Sequence, residues 1–125
     1  MASRILVIAL AGAAGTLTRY WLSGLVQRLC GTDFPWGTWA VNTVGCMLFG
    51  LVWVLSEERF LLSNQVRFFI LVGFMGAFTT FSTYIFESYA MVGDGAWLRF
   101  AFNMAGQNLA GFAAFYLGAV LGRII

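Results

Sequence analysis

The chain has 125 residues, 61% of them hydrophobic and only 10% charged, with no histidine and a formal net charge of +2. That composition excludes a water-soluble globular domain and gives no reason to expect a nucleic-acid partner. With no histidine, no metal-ligand cluster and no nucleophile beside an evident base, it also argues against an enzyme.

Four apolar runs cover residues 5–26, 34–56, 68–86 and 100–122, with Arg19 interrupting the first. Each meets the roughly 20 residues that a spanning helix needs. The expected fold is therefore an all-α membrane protein, a single four-helix transmembrane domain over residues 1–125. The first run is too long, and too polar at Arg19, to read as a cleaved signal peptide. Four spans put both termini and the second loop on one side, so Arg4, Arg59, Arg67 and Arg123 face Arg28 and Arg99 across the bilayer. The arginine contrast is small, and orientation is weakly specified. Such a chain can insert either way and pair with an oppositely oriented copy; the alternative is one orientation set by Arg4 and the loop arginines.

The first helix carries Ala11, Gly12 and Gly15, small residues that favour close helix approach. Arg19 lies about 21 Å from Ile5 along a helix rising about 1.5 Å per residue, inside a core about 30 Å thick. It either attracts anions into an aqueous vestibule or snorkels to the interface. In the second helix Pro35 suits the first turn, Trp36 and Trp39 read as interfacial anchors, and Thr38 and Asn42 share a face with Gly45 and Cys46. Asn42 serves either an interhelical hydrogen bond or an ion path. Cys30 and Cys46 have no metal or redox spacing and read as small apolar fillers.

The third run is the unusual one. Gly73 and Gly76 precede Thr79, Thr80, Ser82 and Thr83, and glycines followed by hydroxyl residues weaken a helix. A break is expected near the middle of this helix, around Gly76 to Thr80. Freed backbone groups at that depth must line a polar cavity or find partners, so a break suggests an ion site; a polar, close-packed helix interface is the alternative. Phe78, Phe81 and Tyr84 interleave with the hydroxyls, and their electropositive ring edges suit a small anion. Glu87, the one acidic residue read within a span, leaves open a small proton-coupled multidrug exporter, although exporters of that kind carry their essential acid in the first helix. In the fourth helix Asn103, Gln107 and Asn108 are too polar to face lipid, and Ala114, Gly118 and Gly122 form a small-residue stripe.

Three motifs in order, Gly12-x-x-Gly15-x-x-x-Arg19-Tyr20, Gly37-Thr38-x-x-Val41-Asn42-x-x-Gly45 and Gly73-x-x-Gly76-x-x-Thr79-Thr80-Phe81-Ser82-Thr83 with Glu87, resemble the Fluc fluoride channels over the whole chain. The resemblance implies an antiparallel, dual-topology homodimer in a bacterial cytoplasmic (inner) membrane, with two fluoride pores between the subunits. It assigns Phe81 and Tyr84 to the aromatic pair of each pore, Asn42 to a pore donor, and Ser82 and Thr83 to a polar track. Asn108 joins the pore, and Arg19 becomes the vestibule cation. The backbone carbonyls of Gly76 and Thr79 would hold one structural sodium ion at the dimer centre. Two positions depart from the family pattern, Tyr84 where phenylalanine is usual and Ala77 where a second glycine is common.

Overall fold

In hydrocarbon the backbone of a long apolar run is satisfied most simply inside its own helix. The computed structural model describes residues 2–125, and no strand occurs among them. Four spans are long and apolar enough to cross a membrane: α1 (Ala2–Cys30), α2 (Trp36–Glu57), a third over Asn64–Gly93, and α6 (Trp97–Ile124). The third is composite. It begins as α3 (Asn64–Phe68), widens to a π-helical stretch (Phe69–Met75), tightens for one turn as α4 (Gly76–Phe78), and resumes as α5 (Phe81–Gly93). Between α4 and α5, Thr79 (φ −88°, ψ 162°) and Thr80 (φ −149°, ψ 110°) have extended backbone. Gly76 itself keeps helical angles, φ −60° and ψ −30°.

Glycines decide how the spans meet. The position a Gly15 side chain would take is filled by the Phe74 carbonyl, and that of Gly73 lies 2.8 Å from Ala11 Cβ, so α1 packs directly on the π-helical stretch. Gly15 is the one buried residue that α1 contributes; the rest of that helix faces outward or is half covered. Between α2 and α6 the contacts ascend together: Trp39 with Asn103, Asn42 with Gln107, Cys46 with Gly111, and Val54 with Gly122, while Gly50 and Gly118 admit the Phe115 and Met47 carbonyls. The two helices therefore run parallel, in register, separated in sequence by the whole third span. The small-residue stripe of α6 is used inside the protomer, and Ala114, Gly118 and Gly122 are all buried.

Polar contacts tie the ends. Arg123 donates to both Glu58 carboxylate oxygens at 2.8 Å, Arg59 donates to the Arg123 carbonyl, and Arg67 pairs with Glu57. The hydrogen bonds from Arg123 hold the Glu58 carboxyl below its ordinary range. At the opposite end Arg99 donates to the Asp33 carbonyl, and the Gln27 side chain bonds the Phe34 carbonyl and the Gly37 amide.

A leucine at Gly118 would force α2 and α6 apart against main chain that cannot yield. Gly118→Leu should destabilise the folded protein by about 1–3 kcal/mol or more, read as a lower midpoint in denaturing-detergent titration. Gly93→Ala, where nothing lies within 4 Å, should leave that midpoint unchanged.

Candidate ion pathway

Two extended residues in mid-membrane strand backbone groups that a helix would have paired, and Asn42 takes up those of Thr80. Its Oδ1 accepts the Thr80 N–H at 2.8 Å, and its Nδ2 donates to the Thr80 carbonyl at 3.1 Å. One carboxamide thus acts as a rung of β-ladder. Its second N–H donates to Gln107 Oε1 at 2.6 Å. Because the Thr80 N–H goes to Asn42, it no longer reaches back to the Gly76 carbonyl. The Thr80 hydroxyl accepts the Thr83 N–H at 3.3 Å and so caps α5, while the Thr79 hydroxyl donates to the Met75 carbonyl. Gly45 on α2 leaves room for the Thr79 methyl.

Cavities lie on both sides of this junction. One, of about 410 Å³, is walled by Asn42, Gln107 and Asn108 together with Phe81, Tyr84 and Cys46. A second, of about 260 Å³, extends from Asn42, Cys46 and Phe81 to Thr79 and Thr80. A third, of about 510 Å³, holds Arg19 with Thr38, Thr80 and Thr83. Thr80 borders the second and third, and Asn42 the first and second, so the junction stands between a cationic chamber and an amide-lined one. The guanidinium of Arg19 reaches the Thr79 carbonyl at 3.5 Å, the far limit of a hydrogen bond.

The residues singled out in the sequence are not all brought together. Asn42, Phe81, Tyr84 and Asn108 share one cavity, whereas Thr83 belongs to the Arg19 chamber, and Ser82 is exposed and lines neither. The Phe81 and Tyr84 rings lie 5.7 Å apart at 52°. Phe81 is 74% exposed and Tyr84 only 5%. The extra hydroxyl of Tyr84 accepts from Asn108 Nδ2 at 3.0 Å and donates to the Met104 carbonyl at 3.2 Å. Glu87 accepts the Thr38 hydroxyl at 2.7 Å through Oε1, while its buried Oε2 has no protein partner. Cys46, read as a filler, borders two cavities. Trp39, read as an interfacial anchor, turns its indole N–H inward to Asn103.

Two participants were underweighted by sequence reasoning. Gln107 appears there only as an inward amide, and Thr80 as one of several helix-weakening hydroxyls. Their signal is the chemistry of Asn42, a side chain able to replace a main-chain partner on both sides at once. Removing it should strand the Thr80 N–H and carbonyl, at about 1–3 kcal/mol per unsatisfied buried group. Asn42→Leu should therefore lower the denaturing-detergent midpoint by more than Cys46→Ala, a change in the same cavity wall that breaks no hydrogen bond.

Residues 6–119 match the family described as CrcB-like protein, Camphor Resistance (CrcB). A fluoride-specific ion channel FluC from Nitrosococcus oceani is 57% identical over 118 residues, 94% of each chain. One of the same name from Solidesulfovibrio magneticus is 56% identical over 125 residues, all of both chains. A third, from Maridesulfovibrio salexigens, is 52% identical over 122 residues, covering 98% of this chain and 97% of its own. Likeness along nearly the whole chain carries the assignment, and this multi-pass membrane protein belongs to the CrcB/Fluc family, a family of fluoride channels and not of enzymes.

Proposed function

We propose that this protein is a fluoride-selective channel that lets cytoplasmic fluoride leave a bacterial cell passively through the cytoplasmic (inner) membrane. The observation that carries the reading is the wall of the 410 Å³ cavity, built from carboxamides and a phenol beside aromatic rings, with no cationic side chain in it. Fluoride is small and strongly hydrated, so a path must offer donors close at hand while holding the ion weakly enough to release it. Neutral amide, hydroxyl and ring-edge donors meet both needs. A fixed charge would attract the ion and keep it. Arg19 belongs one chamber away, where a cation raises local anion concentration without clamping the ion at its narrowest point.

The working unit in this reading is an antiparallel homodimer with two pores between the copies. Asn108 is exposed on the protomer, beside the exposed rings of Phe81 and Phe112. A carboxamide at membrane depth needs a cover other than lipid, and a second copy supplies one. A small arginine contrast, Arg4, Arg59, Arg67 and Arg123 on one side against Arg28 and Arg99 on the other, favours dual topology. Each pore would take fluoride past Asn42, Phe81 and Tyr84, with Asn108 at its wall and Ser82 and Thr83 along its approach. For an arriving fluoride, Asn42 would release one of the two amide hydrogens now given to Thr80 and Gln107.

The break in the third helix is also read as the seat of a structural sodium ion. The Gly76 carbonyl has lost the Thr80 N–H, and the Thr79 carbonyl has only the long Arg19 contact, so both are hard oxygen ligands with little competition. Contributed by both copies, these carbonyls would hold the ion at the dimer centre, where its charge would satisfy exposed backbone dipoles. If so, replacing sodium by a large organic cation should lower the thermal stability of the dimer and leave the secondary structure of the dissociated protomer unchanged.

Liposomes holding the purified protein, loaded with potassium fluoride or potassium chloride and supplied with valinomycin, test the reading directly. Fluoride should leave and chloride should be retained, without any proton gradient. If neither anion leaves while an imposed pH gradient drives a cationic dye, the protein is a small proton-coupled multidrug exporter and Glu87 becomes its proton site.

A further inference from the structure

A carboxamide has nearly the same shape whichever way it is turned, so the groups around Asn42 decide whether its oxygen or its nitrogen meets the Thr80 N–H. Its Nδ2 donates to Gln107 Oε1 at 2.6 Å, and Gln107 Nε2 donates to Asn103 Oδ1 at 3.1 Å. That same Asn103 oxygen accepts the indole N–H of Trp39, also at 3.1 Å. An indole nitrogen can only donate. Asn103 must therefore show its oxygen, Gln107 must give that oxygen its nitrogen, and the Gln107 oxygen is left to receive Asn42.

The far side of Asn103 enforces the same sense. Its Nδ2 donates to Ser88 Oγ at 2.9 Å, and the Ser88 hydroxyl donates to the Tyr84 carbonyl at 2.7 Å. A carbonyl can only accept, so the hydroxyl proton is committed to it, and the oxygen is free to receive Asn103. A donor that cannot accept and an acceptor that cannot donate thus fix one direction for three amides. Asn103 is fully buried and Ser88 nearly so, and Trp39 is steadied by stacking on Phe102 at 5.6 Å and 9°. Turned over, Asn42 would set its N–H₂ against the Thr80 N–H and its oxygen against that of Gln107.

From this we infer that Trp39 and Asn103 are positioning residues for the ion pathway: through Gln107 they lock the Asn42 carboxamide from behind in the one sense that the Thr80 N–H and carbonyl accept, and so hold the Thr80 junction in register. The inference rests on the channel reading only for its consequence on flux; the orientation itself is tested without transport. Neither residue lines the amide cavity, so their influence on an ion there is exerted through Asn42.

Trp39→Phe keeps an aromatic ring against Phe102 and removes the donor. In the full-length protein reconstituted in lipid nanodiscs, amide hydrogen exchange at Thr80 should become about tenfold faster, the effect of losing one net hydrogen bond, while amides inside α5 such as Phe86 keep their rates. Gln107→Met removes the link itself without disturbing the aromatic cluster and should give the same selective acceleration. If Trp39→Phe does not fold, that variant decides the matter. An unchanged Thr80 rate, or equal acceleration along all of α5, overturns the inference, the latter by showing that Trp39 acts only through packing. Fluoride efflux should fall about fivefold in both variants. A native protein that passes no fluoride would sink the channel reading, and the Thr80 exchange rates would still decide the orientation relay.

Discussion

Everything in this protein that is not ordinary membrane helix depends on the two hydrogen bonds between Asn42 and Thr80. A chain that goes extended in hydrocarbon leaves main-chain groups with no water to receive them. Here the cost is met by a side chain from another helix, not by solvent. That substitution has geometric consequences. Asn42 must sit within 3.1 Å of the backbone of a residue 38 positions on in sequence, which fixes the height and rotation of α2 against the third span. Gly45, one turn on, allows the Thr79 methyl to come close enough for that distance to be reached.

The parallel pairing of α2 with α6 supports the same point from behind. Gly50, Gly118 and Gly122 bring the two backbones into contact, and the amides of α6 then fall opposite Trp39 and Asn42. Close packing and polar alignment are thus one arrangement. The third span stands against α1 on its other face, where Gly15 and Gly73 remove the side chains that would separate them. With small residues on both flanks, α1 and α2 both approach the third span closely around Thr79 and Thr80.

Much of this was legible in the chain. Hydrophobic runs and their bounding charges marked the four spans, and the crowding of glycine and hydroxyl residues drew attention to the stretch that holds Thr79 and Thr80. The amides of the fourth helix were recognisably too polar for lipid. Less accessible was the π-helical stretch Phe69–Met75, which packs against α1 and carries no compositional mark. Nor could spacing along single helices show that Tyr84 and Asn108 bond each other, or that Trp39 turns inward. Such facts belong to pairs of helices. A residue's neighbours on its own helix leave them open, as they left open whether Asn42 served a helix contact or an ion path.

The order of these elements along the chain bears on how the protein is made. The extended residues leave the ribosome in the third span, after Asn42 but before Gln107, Asn103 and the glycines of α6. Until the last span has entered the bilayer, the second N–H of Asn42 lacks Gln107 and α2 has no parallel neighbour to lie against. Assembly therefore has an obligatory late step, the lateral docking of α6 against α2, before which the junction in the third span is held from one side only.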